Sequence, residues 1–169
     1  MFFEEIFRHL HENKIRYLLI GGVAVNLHGF SRTTDDLDLW IDLEQKNINK
    51  FSKVVKSIGW KPKIPESVES LGNAKKRKSW IKEKDMKVFS IYNPLNLIEQ
   101  ADIMVREYID FKSAYKRREE LIADTIKISL MSIPDLIRLK KIAARERDVL
   151  DIRALNRIKE LKNAKKREI

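Results

Sequence analysis

Residues 19–42 read LIGGVAVNLHGFSRTTDDLDLWID, placing an apolar run, two glycines and a cluster of aspartates in one short span of a lysine-rich chain. Its last part, DLDLWID (36–42), alternates aspartate with apolar residues, the period-two pattern of a strand with unlike faces. Asp36 and Asp38 are two apart and project from one face, whereas Asp35 points the other way. Neighbouring carboxylates repel, and they persist where a divalent cation, Mg²⁺ for an all-oxygen site, holds both ionised. An edge strand blunted with charge produces a similar alternation. Leu37, Leu39 and Ile41 nevertheless commit the opposite face to a core, and Trp40 shares the polar face. Asp42 has the same parity but lies roughly 13 Å beyond Asp38 at about 3.3 Å per residue, out of reach of one ion, and reads as surface.

Working outward, IRYLLI (15–20) reads as a buried strand. After Gly21 and Gly22, the residues Val23, Ala24, Val25 and Leu27 continue either as a helix up to Gly29 or as the return strand of a Gly-Gly hairpin, and the pattern leaves both open. Upstream, Phe2, Phe3, Ile6, Phe7 and Leu10 have helical spacing, with an end near Asn13. Downstream, residues 45–60 carry Ile48, Phe51, Val54, Val55 and Ile58 at helical spacing, and Gly59 is the stop. WIKEKDMKVFSIYN (80–93) reads as a hairpin turning near Lys84-Asp85, and LIEQADIMV (97–105) as a buried strand carrying Asp102. From Ser132, a cap followed by Pro134 and Asp135, the chain closes as helix, with a break near Arg147-Asp148 and a frayed basic tail over 162–169. The expected fold class is α/β (α+β), a mixed sheet flanked by helices. Residues 1–130 form the core and 131–169 a helical segment packed on it.

The chain has 169 residues, enough for one domain with a real core, and its 43% apolar and 36% charged content describes a globular protein, not a disordered one. Its formal charge of +10 favours polyanionic partners such as nucleotides or RNA, although solubility alone accounts for a basic surface. The absence of cysteine excludes disulfide scaffolds and thiolate zinc sites and suits an intracellular protein. No stretch has the length of a membrane span and the N-terminus lacks a signal-peptide core, so the cytoplasm is expected.

IGG, an intervening stretch and then DLDL resemble the signature of the nucleotidyltransferase superfamily with the DNA polymerase beta fold. SIPDLIRLKKIAARERDVLDIRAL (132–155) is similar to the C-terminal helical motif of bacterial and archaeal nucleotidyltransferases related to the toxin of the AbiE abortive-infection system. Lys140, Arg145, Asp148 and Asp151 match its lysine, arginine and paired aspartates. The likeness covers roughly residues 15–42 and 130–156 and leaves the middle unmatched.

The resemblance implies that Gly21 and Gly22 open a helix facing a nucleoside triphosphate, where free N–H groups and the helix dipole favour phosphate. Many members carry serine where this chain has Gly22, so a hydroxyl contact is missing. It implies that Asp36 and Asp38 are catalytic metal ligands, joined by a third acid. Asp102 is the best candidate, because an unpaired aspartate in an apolar run is costly. Asp110 and Asp124 fall at helix or turn boundaries, where capping explains them. Lys140, Arg145 and Arg32 neutralise triphosphate charge, and Asp148 and Asp151 orient Arg145 or Lys140. The basic stretch AKKRKSW (74–80) with Trp80 suits RNA electrostatics and stacking, although a solvated hairpin loop explains it better. His9, His11 and His28 lack ligand spacing, and His28 reads as packing.

The implied activity is transfer of a nucleotidyl group from a nucleoside triphosphate to an acceptor hydroxyl of RNA, tRNA, a protein or a small molecule. The resemblance also implies two Mg²⁺ ions and, through the AbiE-toxin relatives, a toxin role beside a cognate antitoxin, and no membrane partner is expected. The alternative is a catalytically silent nucleotide- or RNA-binding module on the same fold.

Overall fold

The structure, a computed structural model, describes residues 3–167. Phe2 of the first helical pattern and the last two residues of the basic tail lie outside the described residues. The elements are α1 (Glu4–Glu12), β1 (Tyr17–Ile20), α2 (Gly21–His28), β2 (Leu37–Ile41), α3 (Gln45–Ser57), β3 (Lys61–Pro62) and α4 (Ala74–Lys84). They continue with β4 (Val88–Asn93), β5 (Asn96–Met104), α5 (Phe111–Lys116), β6 (Glu119–Ala123), β7 (Ile126–Leu130), α6 (Ile133–Ala143) and α7 (Glu146–Arg167). Seven strands form one mixed sheet in the order β3-β4-β5-β2-β1-β7-β6. β2 runs parallel to β5 and β1 parallel to β7, while the remaining pairs are antiparallel.

Strand parity sorts the core into two layers. On one face Tyr17, Leu19, Leu37, Leu39 and Ile41 are buried. Phe7 of α1 stacks on Tyr17 and Trp80 of α4 packs on Phe89, so these helices cover that face. The other face carries Leu18, Ile20, Asp38 and Trp40. Trp40 is fully buried there, edge-on to Phe111 of α5 at 5.0 Å. A tryptophan beside two aspartates thus closes one end of this face with apolar packing and leaves the other end to the carboxylates.

The expected hairpin over residues 80–93 is replaced by α4 followed by β4. The Asn73 side chain caps α4 by accepting from the Lys75 and Lys76 amides, and Asp85 ends it with φ of 45°. Lys and Glu are good helix formers, and Trp80 anchors the helix in the core, which removes it from any stacking role. The hairpin lies instead between β4 and β5, and its tip exposes Leu95, Leu97 and Ile98, so the first half of β5 is not buried as expected. Asp42 is buried, not a surface residue: Arg16 holds it at 2.6 Å. The C-terminal helices divide at Ala144, with φ of 50°, a few residues before the expected break, and the basic tail is helical through Arg167.

Leu155 pins α7 into the core and is wholly buried. Leu155→Ala is expected to cost about 2–5 kcal/mol. Calorimetry would read this as a clear fall in the unfolding midpoint, and an unchanged midpoint would show that α7 is not anchored there.

Candidate active site

Register places the acidic residues. Ile20 faces Asp38 across β1 and β2, Asp38 faces Asp102 across β2 and β5, and Asp102 faces Ser90 across β5 and β4. One row of side chains therefore crosses four strands, with two carboxylates adjacent at its centre. Asp36, just before β2, shares their face. Ser90 Oγ donates to Asp102 Oδ1 at 2.5 Å and Gln100 Nε2 donates to Asp36 Oδ1 at 2.8 Å. Neither Ser90 nor Gln100 is recognisable from the sequence alone, because each becomes a partner only through pairing of distant strands.

Burial, then repulsion from Asp102 and Asp36, pushes the Asp38 carboxyl up to about 6, against the pull of Arg145 and Arg147. Among the described residues no three acids already converge as a closed metal cage, since Asp36 is turned to Gln100 and Asp102 to Ser90. The donor set nevertheless fits a hard divalent cation: it is all-oxygen and mutually repelling, and two of its members, Asp38 and Asp102, open to a cavity.

Gly21 opens α2 with φ of +69°, after Ile20 in an extended conformation, and no side chain caps the helix. This resolves the Gly-Gly ambiguity in favour of a helix, whose first amides remain available to an anion. A Cβ on Gly21 would lie 1.9 Å from Asp38 Oδ2, so glycine is needed for backbone angle and for space. A Cβ on Gly22 would lie 2.4 Å from Thr34 Oγ1 and 2.7 Å from Arg32 Nη2. The space above the helix start, lacking a side chain on Gly22, is filled by a hydroxyl and a guanidinium from the loop before β2. Thr34 belongs to the lead-in GFSRTTDDLDL, which resembles the family's stretch of an arginine and a threonine before the acids, and the fold sets its hydroxyl against the helix start.

The predicted cations form a chain of ion pairs. Lys140 Nζ donates to Asp148 Oδ1 at 3.1 Å and to Asp151 Oδ2 at 2.6 Å. Arg145 Nε donates to Asp148 Oδ2 at 3.0 Å, and Arg32 Nη2 donates to Asp151 Oδ2 at 3.1 Å. Lys140, Asp148 and Asp151 are buried, while half of the Arg145 side chain is exposed. Burial alone would raise the Asp148 carboxyl, but the bonds from Arg145 and Lys140 hold it below the usual range. The same pairing raises Arg145. Lys140 is thus the junction of the network, and Arg145 is the cation presented to solvent.

These groups meet at a cavity of about 440 Å³ whose walls include Gly21, Asp38, Asp102, Lys140 and Arg145. The remaining candidates lie elsewhere, as expected. Asp110 caps α5 through the Ser113 amide and Asp124 occupies a turn with φ of 53°. His28 packs internally with Nε2 2.8 Å from the Met131 carbonyl, and burial lowers its pKa.

No family model matches the sequence, and no curated protein matches it. Solved structures do match. The chain superposes on a lincosamide antibiotic adenylyltransferase, LnuA, bound to lincomycin, with a TM-score of 0.58 and 17% identity over 90% of this chain and 93% of that one. The fold is that of the nucleotidyltransferases. ANT(2")-Ia in complex with adenylyl-2"-tobramycin gives a TM-score of 0.55 at 13% identity, covering 99% of this chain and 97% of that one. An antigenic nucleotidyltransferase-like protein from Paracoccidioides brasiliensis gives 0.55 at 18% identity, over 89% and 71%. The nucleotidyltransferase likeness therefore runs the length of the chain, including the middle that the sequence motifs left unmatched.

The buried carboxylate has a pH signature. The Asp38 carboxyl rises from 3.8 to about 6 on folding, so between those pH values the folded state binds more protons than the unfolded one. Stability contributed by this group is present below that window and is lost as pH rises through it. In metal-free protein the unfolding midpoint of wild type, taken relative to that of Asp38→Asn, should fall as pH rises from 4 to 6. Identical slopes for the two proteins would show that Asp38 titrates normally.

Proposed function

We propose that the chain is a Mg²⁺-dependent nucleotidyltransferase, which moves a nucleotidyl group from a nucleoside triphosphate to an acceptor hydroxyl and releases pyrophosphate. The observation that carries this reading is the pairing of Asp38 with Asp102 at the mouth of a cavity that also holds the start of α2 and Arg145. Asp36, Asp38 and Asp102 would hold Mg²⁺, which supplies charge neutralisation at the phosphates. The amides of Gly21 and Gly22 take the outer phosphates at the positive end of α2. Arg145 and Arg32 meet the charge that grows on the departing pyrophosphate, while Lys140, tied to Asp148 and Asp151, holds the two arginine-bearing segments in place. The acceptor oxygen attacks the α-phosphorus, the bond to the pyrophosphate oxygen breaks, and Asp102, steadied by Ser90, takes the acceptor proton.

The acceptor reading follows charge. A formal charge of +10 and the resemblance of the C-terminal motif to AbiE-toxin relatives support an RNA or tRNA acceptor, a cytoplasmic toxin role and a cognate antitoxin. Lincomycin in one neighbour and adenylylated tobramycin in another support a small-molecule hydroxyl as the second reading. Residues 1–130 serve as the catalytic core and 131–169 as the helical segment that brings the cations to it. No helix among the described residues is long and apolar enough to cross a membrane.

Calorimetric titration with each ribonucleoside triphosphate, with and without Mg²⁺, comes first, followed by incubation with α-labelled nucleotide and total tRNA or an aminoglycoside and lincosamide panel. Label should pass to an acceptor, and Asp38→Ala and Asp102→Ala should each reduce transfer at least about 100-fold. Mg²⁺-independent nucleotide binding with no transfer to any acceptor, indifferent to both substitutions, would instead mark a catalytically silent module.

A further inference from the structure

The cavity does not end at the carboxylates. Along β5, Met104 lies two residues beyond Asp102 on the same face, about 6–7 Å away, and Val88 of β4 faces it across the ladder. With Leu136, Leu139 and Ile142 of α6 they form an apolar slot continuous with the acidic end. The polar side chains at its far rim are Lys87 and Tyr108, both exposed, and Arg106, which already donates to Asp85 and to the Met86 carbonyl. The backbone of β4 and β5 is occupied by their ladder and by the Val105 amide donating to the Lys87 carbonyl. The slot offers apolar area and a thioether, with no buried donor or acceptor fixed among its side chains.

We propose that this slot receives the nucleobase of the nucleoside triphosphate and holds it by apolar contact without reading its edge, so that all four nucleotides serve as donors. The inference rests on the transferase reading above. Phosphates at the start of α2 and at Arg145 leave the flat, apolar-faced base as the part of the substrate that matches Met104, Val88 and Leu139. The acceptor enters from the other side, because in-line displacement sets attacking and leaving oxygens on opposite sides of the phosphorus. That side, at Asp36 and Gln100, is flanked by the projecting β4–β5 hairpin. Selectivity follows from the lining. An apolar pocket separates ligands differing by a small group by about 10–200-fold at most, whereas a pocket with buried hydrogen-bonding groups reaches about 10⁴–10⁵.

The test compares Mg²⁺ complexes of ATP, GTP, CTP, UTP and inorganic tripolyphosphate binding to wild type, Leu139→Trp and Met104→Ala by calorimetry. ATP and GTP should bind within about tenfold of each other and more tightly than CTP and UTP, since stacked area sets the ranking. Leu139→Trp, which fills the slot, should weaken ATP at least about tenfold and leave tripolyphosphate within about twofold. Met104→Ala should weaken ATP in the same direction, and it decides the matter if the tryptophan variant does not fold. A preference above about 100-fold between ATP and GTP overturns the proposal. So does ATP binding that neither substitution changes, and in that case the transferase reading stands. Wild-type protein that binds neither ATP nor tripolyphosphate overturns both.

Discussion

Asp38 lies against the backbone of Gly21, so close that a methyl group there would come within 1.9 Å of Oδ2. This contact joins the two halves of the site. It seats a largely buried carboxylate beside the first turn of α2, where amides ready for an anion sit next to oxygens ready for a cation. Such an arrangement is electrostatically incomplete on its own, and Asp102 and Asp36 add to the repulsion instead of relieving it. Relief comes from across the cavity, from Arg145 between α6 and α7, held on buried Asp148, and from Arg147 in the first turn of α7. The sheet order follows the same need: β2 lies between β5, which supplies Asp102, and β1, which delivers the chain to Gly21.

The cation scaffold has its own logic. Lys140, Asp148 and Asp151 are buried, and buried charges are tolerated only when paired and hydrogen-bonded. Arg145 and Arg32 complete the pairing from the rim, leaving more cationic than anionic groups in the network. An open, positively biased rim above a negatively charged floor is a geometry in which a metal-phosphate complex can bridge the two.

Much of this is legible in the sequence because it is local. DLDL alternation, the Gly pair, the Ser132 cap and the spacing of Lys140, Arg145, Asp148 and Asp151 are patterns within a few residues of one another. What the sequence hides depends on partners far along the chain. Trp80 is polar-flanked and looks like a hairpin residue until β4 supplies Phe89 to bury it. Asp42 lies too far along the strand to share an ion with Asp38 and reads as surface until Arg16 closes over it. Thr34 reads only as part of the lead-in to the acids until α2 turns and presents Gly22 beneath its hydroxyl. Lys140 stands out in its motif as one cation among several, and its place as the network's junction emerges only once α7 folds back beside α6.

The order of the chain also sets a timetable. Asp38 and Gly21 leave the ribosome roughly a hundred residues before Lys140 and Arg145, which at about 5–20 residues per second is a delay of roughly 5–20 s. For that interval the acidic half of the site exists without its counter-charges, and β1 lacks β7, its parallel neighbour. The site therefore closes only after α6 and the start of α7 have been made, and a chain truncated before them keeps its mutually repelling carboxylates without Arg145 and Arg147 to offset them.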